Sequence, residues 1–153
     1  MASMYFDNKF SHLCKNLSDD KVIKTDEKIF NTLVDLAVFA AIIAIDKGRG
    51  RTVVEKNGSE IPERIFINQG KDGLVYMIAL METKEPYVLK DDKKCWRIFQ
   101  EYVNTGMSEI SGWLSDNPTD ATGVDTLLGF ITEKASVLLD SNSDYLEIPN
   151  IKF

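Results

Sequence analysis

General acid–base chemistry relies most often on histidine, and nucleophilic sites pair a serine or cysteine with a base. The 153-residue chain offers one histidine, His12, and two cysteines, Cys14 and Cys95. On a helix, positions 12 and 14 point to different sides, so the spacing gives no Cys–His dyad within the segment. Cys95 stands beside Trp96 in an apolar helical pattern, where a buried structural thiol is expected. Three His and Cys residues are too few for a four-ligand zinc site without carboxylate help. The acidic pairs Asp19-Asp20 and Asp91-Asp92 lie among lysines and read as solvated surface or helix starts. No phosphate-binding glycine loop, HExxH or GxSxG pattern occurs. The expectation is no catalytic residue, no metal, no cofactor and no enzymatic activity.

The concentrated feature is Lys47-Gly48-Arg49-Gly50-Arg51. Lys47, Arg49 and Arg51 on a glycine loop can hold a phosphate, a nucleic-acid backbone or an acidic partner. They equally suit a helix end, where glycine caps the last turn and cations complement the dipole. No aromatic residue interleaves with them, which weakens a single-strand-binding reading. The second feature is a run of spaced apolar residues in 141–153: Tyr145, Leu146, Ile148, Ile151 and Phe153. It can fold back on the domain or dock on a partner as an extended peptide.

Charge sorts these readings. Residues 1–105 hold sixteen acids and sixteen bases, whereas residues 106–153 hold eight acids and two bases. The whole net charge of −6 therefore sits in the last third. Such a surface repels a phosphate backbone and disfavours direct DNA binding there. It suits a basic protein partner or a solvated helix face.

Positioning falls to helices. The expected fold is mainly α: a compact bundle of about five to six helices around a buried central helix, with room for one short β-hairpin near 52–60. The spacing of Phe6, Phe10, Leu13 and Leu17 predicts a short helix over 5–17. Thr25 and Asp26 suit a cap for a helix reaching Asp46, apolar all round in its second half and so assigned to the centre. Thr52 to Val54 reads as extended, with Asn57-Gly58 as a tight turn. Short helices are expected from Pro62 to Phe66 and from Leu74 to Met81, the latter capped by Asp72. A long helix follows from about Asp91, with Gly106 as a candidate break. Trp96 and Trp113 share one face of it, and both read as core. Asn117-Pro118 reads as the next helix start, with Val124, Leu127, Leu128, Ile131, Ala135, Leu138 and Leu139 at helical spacing. Residues 1–140 are taken as one helical domain and 141–153 as an extended tail. The longest apolar run, Leu36 to Ile45, has ten residues, about half the ~20 that span a bilayer. The opening residues lack a basic start and apolar stretch, so a cytoplasmic protein without membrane contact is expected.

Four stretches together resemble a known family. They are Val38 to Arg49, Ile61-Pro62-Glu63-Arg64-Ile65-Phe66, Met77 to Thr83, and Ile98 to Met107. In that order they read as an apolar helix with a basic glycine exit, IP-x-x-IF, A-L-x-E-T, then IF-x-EY-x-N-x-G. The pattern resembles the small DNA phosphorothioation-associated proteins called dnd system-associated protein 4, over roughly residues 28–115. The resemblance implies an accessory factor of a prokaryotic DNA-modification and phage-defence system. It would act by binding a larger protein of such a complex, with homo-oligomers left open. The alternative is a small DNA- or nucleotide-binding module using the basic loop 47–51.

Overall fold

The computed structural model describes residues 2–19, 28–48 and 50–143. Arg49 and the tail residues Tyr145, Leu146, Ile148, Ile151 and Phe153 lie outside them, as do Thr25 and Asp26. The fold is mainly helical, with one two-stranded antiparallel sheet.

Ser3–Asp7 forms strand β1, Asn8–Phe10 a 3-10 turn, and Ser11–Ser18 helix α1. The helix predicted over 5–17 therefore begins only at Ser11. Met4 and Phe6 are both fully buried, with the period of two that belongs to a strand. The Phe6–Phe10 spacing also fits a helix by coincidence. Asn57–Pro62 forms strand β2, and Met4 pairs with Ile61, Tyr5 with Glu60. The extended segment near 52–60 is thus present, but its partner is β1 and not residues 52–54. Asn57-Gly58 lies inside the strand instead of making a turn. A Cβ on Gly58 would sit 2.8 Å from the Cα of Asn8, so glycine permits the close approach of the two chains.

Helix α2 covers Leu33–Asp46 and starts later than expected. Thr32 caps it, accepting a hydrogen bond from the Asp35 amide at 3.2 Å. Ile29 and Phe30 precede the helix. Helices α3 (Glu63–Asn68) and α4 (Asp72–Thr83) follow, then a 3-10 segment, Pro86–Lys90. Helix α5, Asp92–Asp116, runs unbroken through Gly106. Thirteen of its residues are buried, against six in α2, so α5 is the helix at the centre. Phe66 of α3 packs edge-on against Trp96 and Phe99, at 5.0 and 5.5 Å between ring centroids.

α2 lies on α5 through small residues. Ala37, Ala40, Ala41 and Ala44 are all fully buried. A Cβ on Gly106 would lie 1.7 Å from the Ala40 carbonyl oxygen, so the two backbones nearly touch there. Gly106 is a packing position, not a break.

Helix α6, Val124–Ser143, starts six residues beyond Pro118. Asn117 instead ends α5, its side-chain amide donating to the Trp113 carbonyl at 2.9 Å. Asp120 starts α6: its carboxylate accepts from the amides of Gly123 (3.1 Å) and Thr126 (2.8 Å) and from the Thr126 hydroxyl (2.8 Å). The Thr126 amide bond is the main reason its carboxyl sits below the usual range. Among the described residues, no helix is long and apolar enough to cross a membrane.

Candidate functional site

Two places collect side chains that can act. The first is a polar node where the exit of α2 meets α4 and α5. Arg51 Nε is 3.1 Å from Glu82 Oε1, and Arg51 Nη1 is 3.1 Å from Glu101 Oε2. The Tyr102 hydroxyl donates to the other Glu82 oxygen. Burial and this carboxylate partner push the Tyr102 phenol up to about 12. Thr105 Oγ1 lies 2.8 Å from the Gly50 carbonyl and 2.9 Å from Thr52 Oγ1. The Thr52 amide donates to the Glu101 carbonyl at 3.3 Å. The node therefore fastens residues 50–52 to the helices, and Arg51 commits its fork to two carboxylates.

Lys47 points elsewhere. Its Nζ lies 6.0 Å from the Trp113 ring centroid. Positions 101 and 113 are twelve residues apart on α5, about 18 Å along the axis. The structure thus draws Lys47 toward the C-terminal end of α5 and Arg51 toward its middle.

Sequence reasoning did not find the Glu82–Glu101–Tyr102 node. The signal was the short reach from A-L-x-E-T to EY, which only the packing of α4 on α5 brings together. His12 and Cys14 diverge: the His12 ring meets Asn16 Nδ2 at 3.2 Å on the outer face, while burial pushes the Cys14 thiol up to about 12. Burial also raises Cys95, whose Sγ donates to the Val88 carbonyl at 3.1 Å. Such thiols are poor nucleophiles. Among the described residues, no group of three His, Cys, Asp or Glu could hold a metal.

The second place is an apolar groove of about 310 Å³ between α2 and α6. Phe39, Ile42 and Ile43 form one wall, and Phe130, Ile131 and Leu138 the other. Trp113 is at its floor, stacked on Phe130 at 4.0 Å. Lys47 stands at the rim, and Lys134 spans to Asp46 at 2.7 Å. The groove follows from α2 being apolar all round. Its small residues go to α5, which leaves its larger ones on the far side, and Ile42 is 49% exposed. α6 covers them only in part. Every residue from 131 to 140 is exposed, including Leu138 and Leu139 at 52% and 70%. A folded domain rarely leaves a helix face so greasy without a use for it.

Fold and site define a mainly helical protein whose open feature is an apolar groove beside an acidic helix. Residues 7–144 match the family model described as DNA sulphur modification system-associated protein 4, and the chain belongs to that family. No curated protein and no solved structure matches the chain. The match extends the resemblance read from residues 28–115 into α1 and α6.

Proposed function

We propose that this protein is a non-enzymatic accessory factor of a prokaryotic DNA-modification and phage-defence system, acting in the cytoplasm by binding a larger protein component. The observation that carries this reading is the exposed apolar face of α6 and the groove it shares with α2. Family membership supplies the context of a DNA sulphur modification system. The acids of the last third favour a basic surface on the partner. Tyr145, Leu146, Ile148, Ile151 and Phe153 extend the same apolar region in sequence. The DNA-binding alternative draws less support, because Arg51 is already paired and Lys47 faces Trp113.

The test is co-elution of the protein with purified larger components of a DNA sulphur modification system. Leu128→Glu/Leu139→Glu places two charges on exposed positions, where the cost in stability is small, roughly 0.5 kcal/mol each. One component should co-elute with the native chain and not with the variant. Absence of any complex, or a complex indifferent to both charges, refutes the proposal.

A further inference from the structure

A second cleft, of about 320 Å³, opens near the N-terminal end of α5. Trp96 is at its floor. Trp113, the floor of the apolar groove, lies seventeen residues further on, about 25 Å along the helix axis. The two sites are therefore separate.

One wall of the cleft is a stripe of α5. Lys93, Arg97 and Gln100 follow at i, i+4 and i+7 and so share a face. The other wall is the outer face of the sheet. Met4 and Phe6 turn into the core, so Tyr5 between them turns outward, and it lines the cleft with Asn57. The walls are tied together. The Tyr5 amide donates to Gln100 Oε1 at 2.8 Å, and Asn104 Nδ2 donates to the Tyr5 carbonyl at 3.0 Å. The Tyr5 hydroxyl is held by Glu60 at 3.2 Å, which fixes the ring, and Glu60 itself does not line the cleft.

Charge sets the ligand. The chain has 24 acids and 18 bases, yet among the described residues no acid lines this cleft. The two acids that precede Lys93 are turned to other groups: Asp91 accepts from the Lys94 amide at 3.1 Å, and Asp92 from the Tyr76 hydroxyl at 3.1 Å. Among the described residues, neither Lys93 nor Arg97 has an ion-pair partner. A phosphomonoester carries about −1.5 to −2 at neutral pH, which two cations one helical turn apart match. A long polyanion would also meet the net charge of −6, so the balance favours a single phosphate over a strand. An aromatic ring opposite the cations suits a nucleobase, because every base has a face to stack. With Gln100 Oε1 taken by Tyr5, the amide nitrogen of that side chain is left to donate.

We propose that this cleft binds a mononucleotide, with Lys93 and Arg97 on its phosphate, the Tyr5 ring against its base, and the side-chain amides of Asn57 and Gln100 at the base edge. The site goes beyond the accessory role and does not rest on it. Its walls are already held in place, so little ordering is needed on binding.

Calorimetric titration of the full chain with each of the four common ribonucleoside 5′-monophosphates tests this. At least one should bind, and its nucleoside and inorganic phosphate should each bind tenfold or more weaker. Lys93→Gln/Arg97→Gln should weaken the nucleotide at least tenfold and melt with the native protein, since both side chains are exposed. Lys15→Gln/Lys94→Gln removes the same charge from exposed positions outside the cleft and should leave affinity within twofold. In nitrogen-labelled native protein the Trp96 indole and Gln100 side-chain amide signals should shift on binding, and the Trp113 indole signal should not. Affinity weaker than about 1 mM for all four nucleotides overturns the proposal. So does equal weakening by the two double variants, or phosphate binding as well as the nucleotide, which would mean an anion site only. A single-stranded oligonucleotide that binds tenfold tighter than any mononucleotide, and loses this with Lys93→Gln/Arg97→Gln, would make the occupant a strand and overturn it too. No larger protein takes part, and the substituted residues lie outside the α2/α6 groove, so this result and the co-elution result stand apart.

Discussion

Replacing Gly106 by alanine sets helix propensity directly against packing. In an isolated helix the change gains about 1 kcal/mol, because alanine loses less backbone entropy than glycine. Here the new Cβ would lie 1.7 Å from the Ala40 oxygen, 2.3 Å from its carbon and 2.8 Å from its Cα. Real contacts of this kind do not fall below 3.0 Å, so α2 must retreat by at least 1.3 Å at that point. The obstacle is backbone, which no rotamer change can relieve. Retreat also loosens Ala37, Ala41 and Ala44, which have no longer side chains to refill the gap. Overpacking typically costs about 1–3 kcal/mol, and a clash with main chain belongs at or above the upper end. Net of the propensity gain, Gly106→Ala should lose at least ~2 kcal/mol. Gly112 is the control: it sits in the same helix, and a Cβ added there would have nothing within 4 Å. Gly112→Ala should gain up to ~1 kcal/mol. The two variants should thus differ by about 3 kcal/mol, or roughly 6–12 °C in Tm for a chain of this size. Urea titration and thermal melts followed by circular dichroism measure both. Equal stabilities, or a more stable Gly106→Ala protein, would show that α2 and α5 do not approach this closely.

Asn104 accepts from the Asp7 amide (2.7 Å) and donates to the carbonyls of Tyr5 (3.0 Å) and Gln100 (2.8 Å). Asn104→Ala should cost roughly 2–4 kcal/mol by leaving buried groups of β1 unpaired, with faster hydrogen exchange at the Asp7 amide as its local sign. Arg51→Ala should lower stability by about 1–2 kcal/mol, since it strips the largely buried Glu101 of its partner. It should leave salt-dependent DNA affinity unchanged, in line with a structural role for that arginine. Tyr102 keeps its proton to about pH 12 when folded but loses it near 10 when unfolded. Its share of stability is complete below pH 10 and is lost as pH rises through 12, so Tyr102→Phe should flatten the fall in Tm over that window.

Helices were legible where one residue type or one spacing controlled the outcome. The apolar face of α5 and the Pro62 start of α3 sit where local pattern and tertiary packing agree, whereas Asp72 does not cap α4 as expected: Lys71 holds the cap position without a side-chain bond, and Asp72 is an acid in the first turn. The pattern misled where long-range pairing decided. β1 and β2 pair residues fifty or more positions apart, and nothing local announces that Met4 faces Ile61. Asn117-Pro118 carries a strong helix-start signature, yet the same asparagine serves as the end of α5, and Asp120 then takes over the cap. The all-apolar second half of α2 was visible, but its meaning was not. Alanines on one side and Phe39, Ile42 and Ile43 on the other make a helix that buries its small face and leaves its large one for α6.

The same division bears on where function lies. The stretches that carry the family resemblance supply Ala40, Pro62, Phe66, Glu82, Glu101, Tyr102, Asn104 and Gly106. In the structure these residues hold α2 and α4 to α5 and fix the strands to it, by close packing at Gly106 and by hydrogen bonds at Asn104 and Tyr102. A side chain already used in this way has little left for a ligand, and Arg51 is the example: its charge is met inside the protein. The scaffold therefore accounts for the motifs without any appeal to chemistry at them. What it does not account for is the outer half of α6, which meets the body mainly through Phe130 on Trp113 and Lys134 on Asp46 and still presents Ile131, Val137, Leu138 and Leu139 to solvent. Each of those four keeps roughly half or more of its surface in water, and apolar area left there forgoes about 25 cal/mol per Å².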